Sequence, residues 1–149
     1  MNIFFDMDGT ISNLYGVDNW LDMLINNDPT PYSIAKPCVN LSRLARALNR
    51  LQLVGHKICV ISWLSKSSTP EYDALVTSAK MVWLHKHLPS VVWDEIKIVP
   101  YGTNKWELCK GGILFDDEEQ NRNDWKNGAA FHPDHIFDIL NMIIEESDA

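Results

Sequence analysis

Short apolar runs alternate with longer amphipathic stretches along most of this chain. Each run is bounded by turn-forming or charged residues, which is typical of buried strands. The runs are residues 2–5, 57–62, 96–100, 112–115 and 128–131. Hydrophobicity within the longer runs is continuous rather than alternating, and this favours a parallel sheet covered on both faces.

Helical periodicity occupies much of the chain between these runs. Apolar residues recur at spacings of three and four in residues 41–55, 71–89 and 132–146. For the second helix the predicted buried face is Tyr72, Leu75, Val76, Ala79, Val82 and Trp83. Strand and helix therefore alternate, which predicts an α/β fold with a doubly wound parallel sheet and helices on both faces, in one domain spanning residues 1–149.

Residues 13–37 depart from this alternation. They contain one short amphipathic stretch, which begins at Trp20, followed by three prolines. Because the segment comes soon after the first strand, it can fold over the end of that strand as a small cap. An ordinary crossover connection accounts for the same pattern equally well.

Composition narrows the class of protein. With 149 residues, 46% of them apolar and 22% charged, the chain has the profile of a globular domain with its own core. A formal charge of −7 without a cluster of Lys or Arg argues against nucleic-acid binding. The three cysteines form no C-x-x-C pair, and Asp6 interrupts the first apolar run, so we expect a reduced cytoplasmic protein with neither signal peptide nor membrane span.

Polar residues stand at the carboxyl end of each predicted strand up to the fourth. In a parallel α/β sheet these ends meet at one edge, where ligands bind. In chain order the residues are Asp6 and Asp8, Ser62, Lys105, and Asp116 and Asp117. Each has a plain alternative as a solvated turn, a cap or a surface lysine. Their appearance together and in this order favours a functional site.

These motifs resemble those of the haloacid dehalogenase (HAD) superfamily, most of whose members are Mg²⁺-dependent phosphatases. The first, "FFDMDGT", is similar to the D-x-D-G-T loop of that superfamily. The stretches "KMVWLHKHLP", "IKIVPYGTNK" and "GILFDDEEQN" are similar to the cytosolic deoxyribonucleotidase (5′-nucleotidase type C) family. Those nucleotidases carry a longer helical cap where this chain has only residues 13–37.

The resemblance, together with carboxylate chemistry, implies a role for each of these residues. Asp6 would attack phosphorus as a nucleophile, and Asp8 would act as general acid and then base. Ser62 and Lys105 would be catalytic residues that also bind the phosphate, beside Gly9 and Thr10. Mg²⁺ prefers carboxylate and phosphate oxygens. The expected metal ligands are Asp6, Asp8, Asp116 and Asp117.

The expected substrate is a small phosphorylated molecule, and the finer resemblance favours a nucleoside monophosphate. One alternative is a phosphatase acting on the 3′-ends of polynucleotides, which a small cap would admit but the negative net charge disfavours. Another is a non-catalytic relative that binds a phosphorylated ligand or a protein. Trp63 follows Ser62 directly and is a candidate stacking surface, although core packing is the commoner role of tryptophan.

Overall fold

The computed structural model describes residues 1–148. The strands are β1 (Asn2–Phe5), β2 (Ser12–Asn13), β3 (Lys36–Pro37), β4 (Lys57–Trp63), β5 (Glu95–Val99), β6 (Gly112–Phe115) and β7 (Gly128–Phe131). The α-helices are α1 (Trp20–Ile25), α2 (Thr30–Ile34), α3 (Leu41–Leu53), α4 (Pro70–His87), α5 (Glu119–Asp124) and α6 (Ile136–Asp148). Short 3₁₀ helices occupy Leu14–Gly16, Lys105–Leu108 and Pro133–His135.

Five strands form one parallel sheet in the order β5-β4-β1-β6-β7. Strand β1 lies at its centre, where Ile3 pairs with Ile58 of β4 and with Ile113 of β6. The predicted α/β fold and parallel sheet are confirmed, with strand boundaries that differ from the predicted ones by one residue at most. Since all five strands run the same way, their carboxyl ends share one edge.

The two faces of the sheet are covered unequally. Ile3 and Phe5 point to one face, where they belong to the largest core cluster with buried residues of α3, α4 and α6. Phe4 points to the other face, because side chains alternate along a strand. There it packs with Trp125, which follows α5, and with Cys109, which follows the 3₁₀ turn Lys105–Leu108. Long helices therefore cover the first face, and short helical segments cover the second.

Helix α4 buries Tyr72, Val76, Ala79 and Trp83 as its apolar pattern predicts, but it does not bury the other two predicted residues. Leu75 and Val82 are 51% and 61% exposed, whereas Lys80 is 1% exposed. Tyr72, Val76 and Leu84 are buried at four-residue spacing on either side of Lys80. The helix thus rotates Lys80 towards the sheet edge, where the ammonium group finds polar partners, and leaves two aliphatic side chains in solvent.

Residues 13–37 leave the sheet and return to the same place. Antiparallel pairing of Ser12 with Pro37 brings the two ends of the segment together. Between them, α1 and α2 pack towards α4: the Tyr72 hydroxyl donates to the Asp28 carbonyl at 3.0 Å, and the Trp83 indole donates to the Ala35 carbonyl at 2.8 Å. The segment is therefore a compact excursion attached to α4. Nowhere in residues 1–148 does a helix combine the length and hydropathy that a bilayer crossing demands.

Candidate active site

The sheet itself positions two of the predicted carboxylates. The Asp6 N–H donates to the Phe115 carbonyl at 2.9 Å, and the Asp116 N–H donates to the Phe131 carbonyl at 3.2 Å. The backbone pairing of β1, β6 and β7 thus continues into the residues that follow β1 and β6. Asp6 and Asp116 are consequently buried and held on neighbouring strands, and the fold brings them together as the sequence predicts.

Lys105 connects these two carboxylates. Its ammonium group donates to Asp6 Oδ1 at 2.9 Å and to Asp116 Oδ2 at 2.6 Å, and the side chain is almost fully buried. Burial alone would lower the pKa of Lys105, but the Asp6 and Asp116 carboxylates outweigh it and raise this pKa. An ammonium group whose charged form is favoured by two carboxylates therefore lies against Asp6, the expected nucleophile, and it also lines a cavity.

Two residues of α5, which the sequence does not single out, organise the second acidic pair. The Asn121 amide donates to Asp116 Oδ2 at 3.1 Å. The Arg122 guanidinium donates to the backbone carbonyls of Asp116 and Asp117 at 3.1 and 2.9 Å. These contacts depend on how α5 folds back over the loop. The only signal in the sequence for Asn121 and Arg122 is that they follow the acidic pair closely.

Three carboxylates have the arrangement of a cation site. Asp6, Asp116 and Asp117 each present an oxygen within 4.8 Å of the others. Burial and the neighbouring Asp6 carboxylate raise the pKa of Asp117 to about 8, and the same two causes raise the pKa of Asp116 to about 6. Crowded hard oxygen donors whose ionisation is mutually unfavourable fit Mg²⁺, which would compensate their charge. The Asp8 carboxylate lies outside this group.

Gly9 and Thr10 bind protein groups where the sequence predicts phosphate. The Gly9 N–H donates to the Ser12 carbonyl, and its φ of +81° suits glycine. A Cβ at Gly9 would lie 2.3 Å from Asp117 Oδ2, so glycine allows the two loops to approach. The fully buried Thr10 hydroxyl donates to Asp6 Oδ2 at 3.1 Å and accepts from the Asp117 N–H at 3.2 Å. Both residues thus join the first loop to the second acidic pair.

Lys80 is the principal residue that the sequence interpretation missed. Its ammonium group donates to Asp8 Oδ2 at 2.9 Å, to Ser62 Oγ at 2.7 Å and to the Trp63 carbonyl at 2.7 Å. Ser62 is fully buried, so in this structure its hydroxyl supports Lys80 rather than facing the cavity. Burial raises the pKa of Asp8, and Lys80 offsets part of that rise. The signal that could have revealed Lys80 is its spacing of four residues from the buried apolar residues of α4 on either side.

A cavity of about 510 Å³ opens directly above these groups. Its floor, by which we mean Asp6, Asp8, Lys105 and Asp117, is polar. Its aromatic wall, by which we mean Tyr15, Trp20, Tyr32, Trp63 and Tyr101, comes from residues 13–37, from the end of β4 and from the chain after β5. Trp63 and Tyr101 have ring centroids 5.0 Å apart, as do Tyr15 and Trp20.

The comparison with solved structures supports the fold. A crystal structure of D,D-heptose 1,7-bisphosphate phosphatase from Burkholderia thailandensis superposes on 82% of this chain and 69% of its own, with a TM-score of 0.50 and 16% sequence identity. At this identity the likeness shows a shared α/β fold. No protein-family model matches the chain, and no curated protein matches it. The likeness does not extend to the nucleotidase family, which stays a prediction.

Proposed function

We propose that this chain is a Mg²⁺-dependent phosphomonoester hydrolase that forms a phosphorylated Asp6 and acts on nucleoside monophosphates. The observation that carries the proposal is the floor of the cavity. There Asp6, a buried carboxylate that follows β1, is paired with Lys105 and belongs to the group of three carboxylates. It faces the cavity beside Asp8, which Lys80 holds separately. The fold shared with a heptose bisphosphate phosphatase is consistent with this class of reaction.

The chemistry assigns different tasks to Asp6 and Asp8. An Asp6 oxygen attacks phosphorus, the bond between phosphorus and the leaving oxygen breaks, and Asp8 gives that oxygen a proton. A water molecule then gives a proton to Asp8 and attacks the same phosphorus, which releases inorganic phosphate and restores Asp6. Two carboxylates with different partners suit these two tasks, because one must attack as an anion while the other donates a proton. Lys105 contacts Asp6, and Lys80 contacts Asp8.

Charge around the transferred phosphoryl group has two sources of compensation in this proposal. Asp6, Asp116 and Asp117 would hold Mg²⁺, which lowers the repulsion between carboxylate and phosphate anions when bound. Lys105 faces the cavity and would stabilise the charge that develops on the phosphoryl oxygens. Gly9 and Thr10 would keep the two acidic loops close together, a task that fits their partners better than direct contact with phosphate.

The cavity supports a substrate with a flat ring. Its volume lies in the range of roughly 300–1,000 Å³ that small-molecule sites occupy. Above the floor, the aromatic wall offers several ring faces, and base stacking on such faces tolerates any nucleobase. Residues 13–37 would act as the cap, which carries three of the five rings of this wall. A phosphate on the floor and a base against the wall match the two ends of a nucleoside monophosphate.

Turnover of a substrate panel tests the proposal. The panel contains 5′- and 3′-monophosphates of ribo- and deoxyribonucleosides, sugar phosphates and a 3′-phosphorylated oligonucleotide, with and without Mg²⁺. We expect Mg²⁺-dependent release of phosphate, highest for a mononucleotide, with sharper discrimination between sugars than between bases, because an unpaired buried polar group is costly. Preferred turnover of sugar phosphates or of the oligonucleotide would remove the nucleotidase assignment. Absence of turnover for every ester would remove the phosphatase assignment and favour a binding protein.

A further inference from the structure

Lys80 differs from Lys105 in that every hydrogen of its ammonium group is already committed. A lysine ammonium has three N–H donors and no acceptor. In Lys80 they reach Asp8 Oδ2, Ser62 Oγ and the Trp63 carbonyl, all at 2.7–2.9 Å. The side chain is 1% exposed and lies beneath the cavity rather than along it. Lys80 therefore has no donor left for a substrate phosphate in this arrangement.

Two of these three partners belong to the rigid part of the fold. Ser62 and Trp63 are the last residues of β4, which pairs with β1 on one side and β5 on the other. The lysine itself is fixed on the buried stripe of α4. The third partner, Asp8, lies on the loop after β1. Lys80 thus ties the side chain of a loop residue to a strand and a helix that are distant in sequence.

This tie determines which atom of Asp8 faces the reaction. Asp8 Oδ2 is bound to Lys80, so Oδ1 is the oxygen left for a proton transfer, and Asp8 lines the cavity. The Tyr32 ring centroid lies 5.2 Å from the Lys80 ammonium group, within the range of a cation–π contact. The Tyr32 hydroxyl is also 2.6 Å from Ser65 Oγ on the chain after β4. The segment 13–37 therefore packs over the same lysine.

We infer that Lys80 is a positioning residue that acts through Asp8: it anchors Oδ2 and so presents Oδ1 to the leaving group and then to the attacking water. The inference rests on the proposed phosphatase function. It differs from a phosphate-binding role in a measurable way. Loss of a positioning residue impairs proton transfer and spares substrate binding, whereas loss of a phosphate ligand weakens binding of every substrate.

The kinetic test compares Lys80→Met with the wild type on two esters. For a nucleoside monophosphate, whose leaving oxygen needs a proton, we expect kcat to fall by about 10²-fold, at the lower end of what general acid–base catalysis contributes. For p-nitrophenyl phosphate, whose leaving group needs little protonation, we expect the burst of p-nitrophenol that accompanies phosphorylation of Asp6 to slow by less than about tenfold, although hydrolysis of the intermediate is impaired for both esters. KM should change little for either. A p-nitrophenol burst that slows as much as turnover of the nucleotide, or a rise in KM that accounts for the effect, would overturn the inference.

Control variants separate positioning from structural support. Lys57→Met changes an exposed lysine at the other end of β4 and should leave both esters unaffected. Ser62→Ala removes one anchor of the ammonium group without changing charge, and should reproduce the selective loss at smaller size. In an Asp8→Asn background, Lys80→Met should add little further loss, since coupled residues are not additive. Full additivity would mean that Lys80 acts independently of Asp8.

A crystal structure of Lys80→Met tests the anchoring without relying on turnover. We expect the Asp8 side chain to leave the position it holds in the wild type and to adopt more than one orientation. An unchanged Asp8 would overturn the inference even if the enzyme is active. If the wild type hydrolyses no ester at all, the proposed function fails, while a displaced Asp8 in this crystal structure would still establish the anchor.

Discussion

The floor and the aromatic wall of the cavity are built in opposite ways. Floor residues are buried or half-buried, and hydrogen bonds between charged groups tie Asp6 to Lys105, Lys105 to Asp116, and Asp8 to Lys80 of α4. Apart from the buried Tyr32, the wall residues are at least partly exposed, and Tyr15 and Tyr101 are 47% and 53% accessible. A network in which buried charges are paired tolerates little change, because each unpaired charge is costly. Replacement of an exposed ring in the wall changes the free energy of folding little. The floor would therefore define the reaction, and the wall the substrate.

The largest effect should come from removing the attacking charge of the floor. Asp6→Asn retains the size of the side chain but is a poor nucleophile, so we expect phosphatase activity to fall by at least about 10³-fold. The melting temperature should change by only a few degrees, since Lys105 keeps Asp116 as a partner. Asp138→Asn, on the exposed surface of α6, is the matched control and should retain full activity. Substantial activity in Asp6→Asn would exclude covalent catalysis by this residue.

A smaller and selective effect should follow from changing the wall. Tyr101→Ala and Trp20→Ala each remove one ring, and stacking of a base on a ring contributes about 1–3 kcal/mol. We expect kcat/KM for a nucleoside monophosphate to fall roughly tenfold and that for glycerol phosphate, which has no ring, to stay within about twofold. Tyr101→Phe and Trp20→Phe keep a ring and should behave like the wild type. Equal losses on both substrates would mean that the wall does not contact a base.

The smallest effect concerns the stability of the floor when Mg²⁺ is removed with a chelator. Burial and Asp6 hold the pKa of Asp117 at about 8, above its value in an unfolded chain. The folded protein then binds more protons than the unfolded chain, so its stability falls as pH rises through this range. We expect the melting temperature to decline by a few degrees between about pH 6 and 8, and Mg²⁺ to reverse the decline.

Asp117→Asn is the control for this stability measurement. It removes the titrating carboxyl and leaves the histidines unchanged, so their own contribution to the pH dependence cancels in the comparison. His56 and His87 have pKa values lowered by burial, and their effect has the opposite sign. Two results would contradict the crowding of the acidic group. The melting temperature of the chelated wild type could stay the same across this pH range, or it could decline by the same amount in Asp117→Asn.

The sequence predicts the fold and the main residues of the floor because both depend on local rules. Continuous apolar runs indicate the parallel strands, and the residue after a strand must lie at the sheet edge. Asp6, Lys105, Asp116 and Asp117 come together for this reason. Their convergence follows from topology, which the order of strands and helices is enough to predict.

The remaining features depend on contacts between distant parts of the chain. Lys80 lies among apolar residues, and helical periodicity alone cannot distinguish a lysine that reaches a buried carboxylate 72 residues away from one in solvent. Its burial also explains the exposure of Leu75 and Val82, which the apolar pattern placed in the core. The sequence did not predict the hydrogen-bond partners of Gly9, Thr10 and Ser62, because a motif indicates residue types and not the direction of each hydrogen bond.

Direct detection of phosphate on Asp6 tests the central proposal most sharply. Asp8→Asn should still be phosphorylated by p-nitrophenyl phosphate, whose leaving group needs no acid, but should lack the base for hydrolysis of the intermediate. After acid quenching and proteolysis, mass spectrometry is therefore expected to find one phosphoryl group on the peptide that contains Asp6, and none in Asp6→Asn treated in the same way. An enzyme that turns over this ester but carries no phosphoryl group, or carries it on another residue, would contradict the proposal.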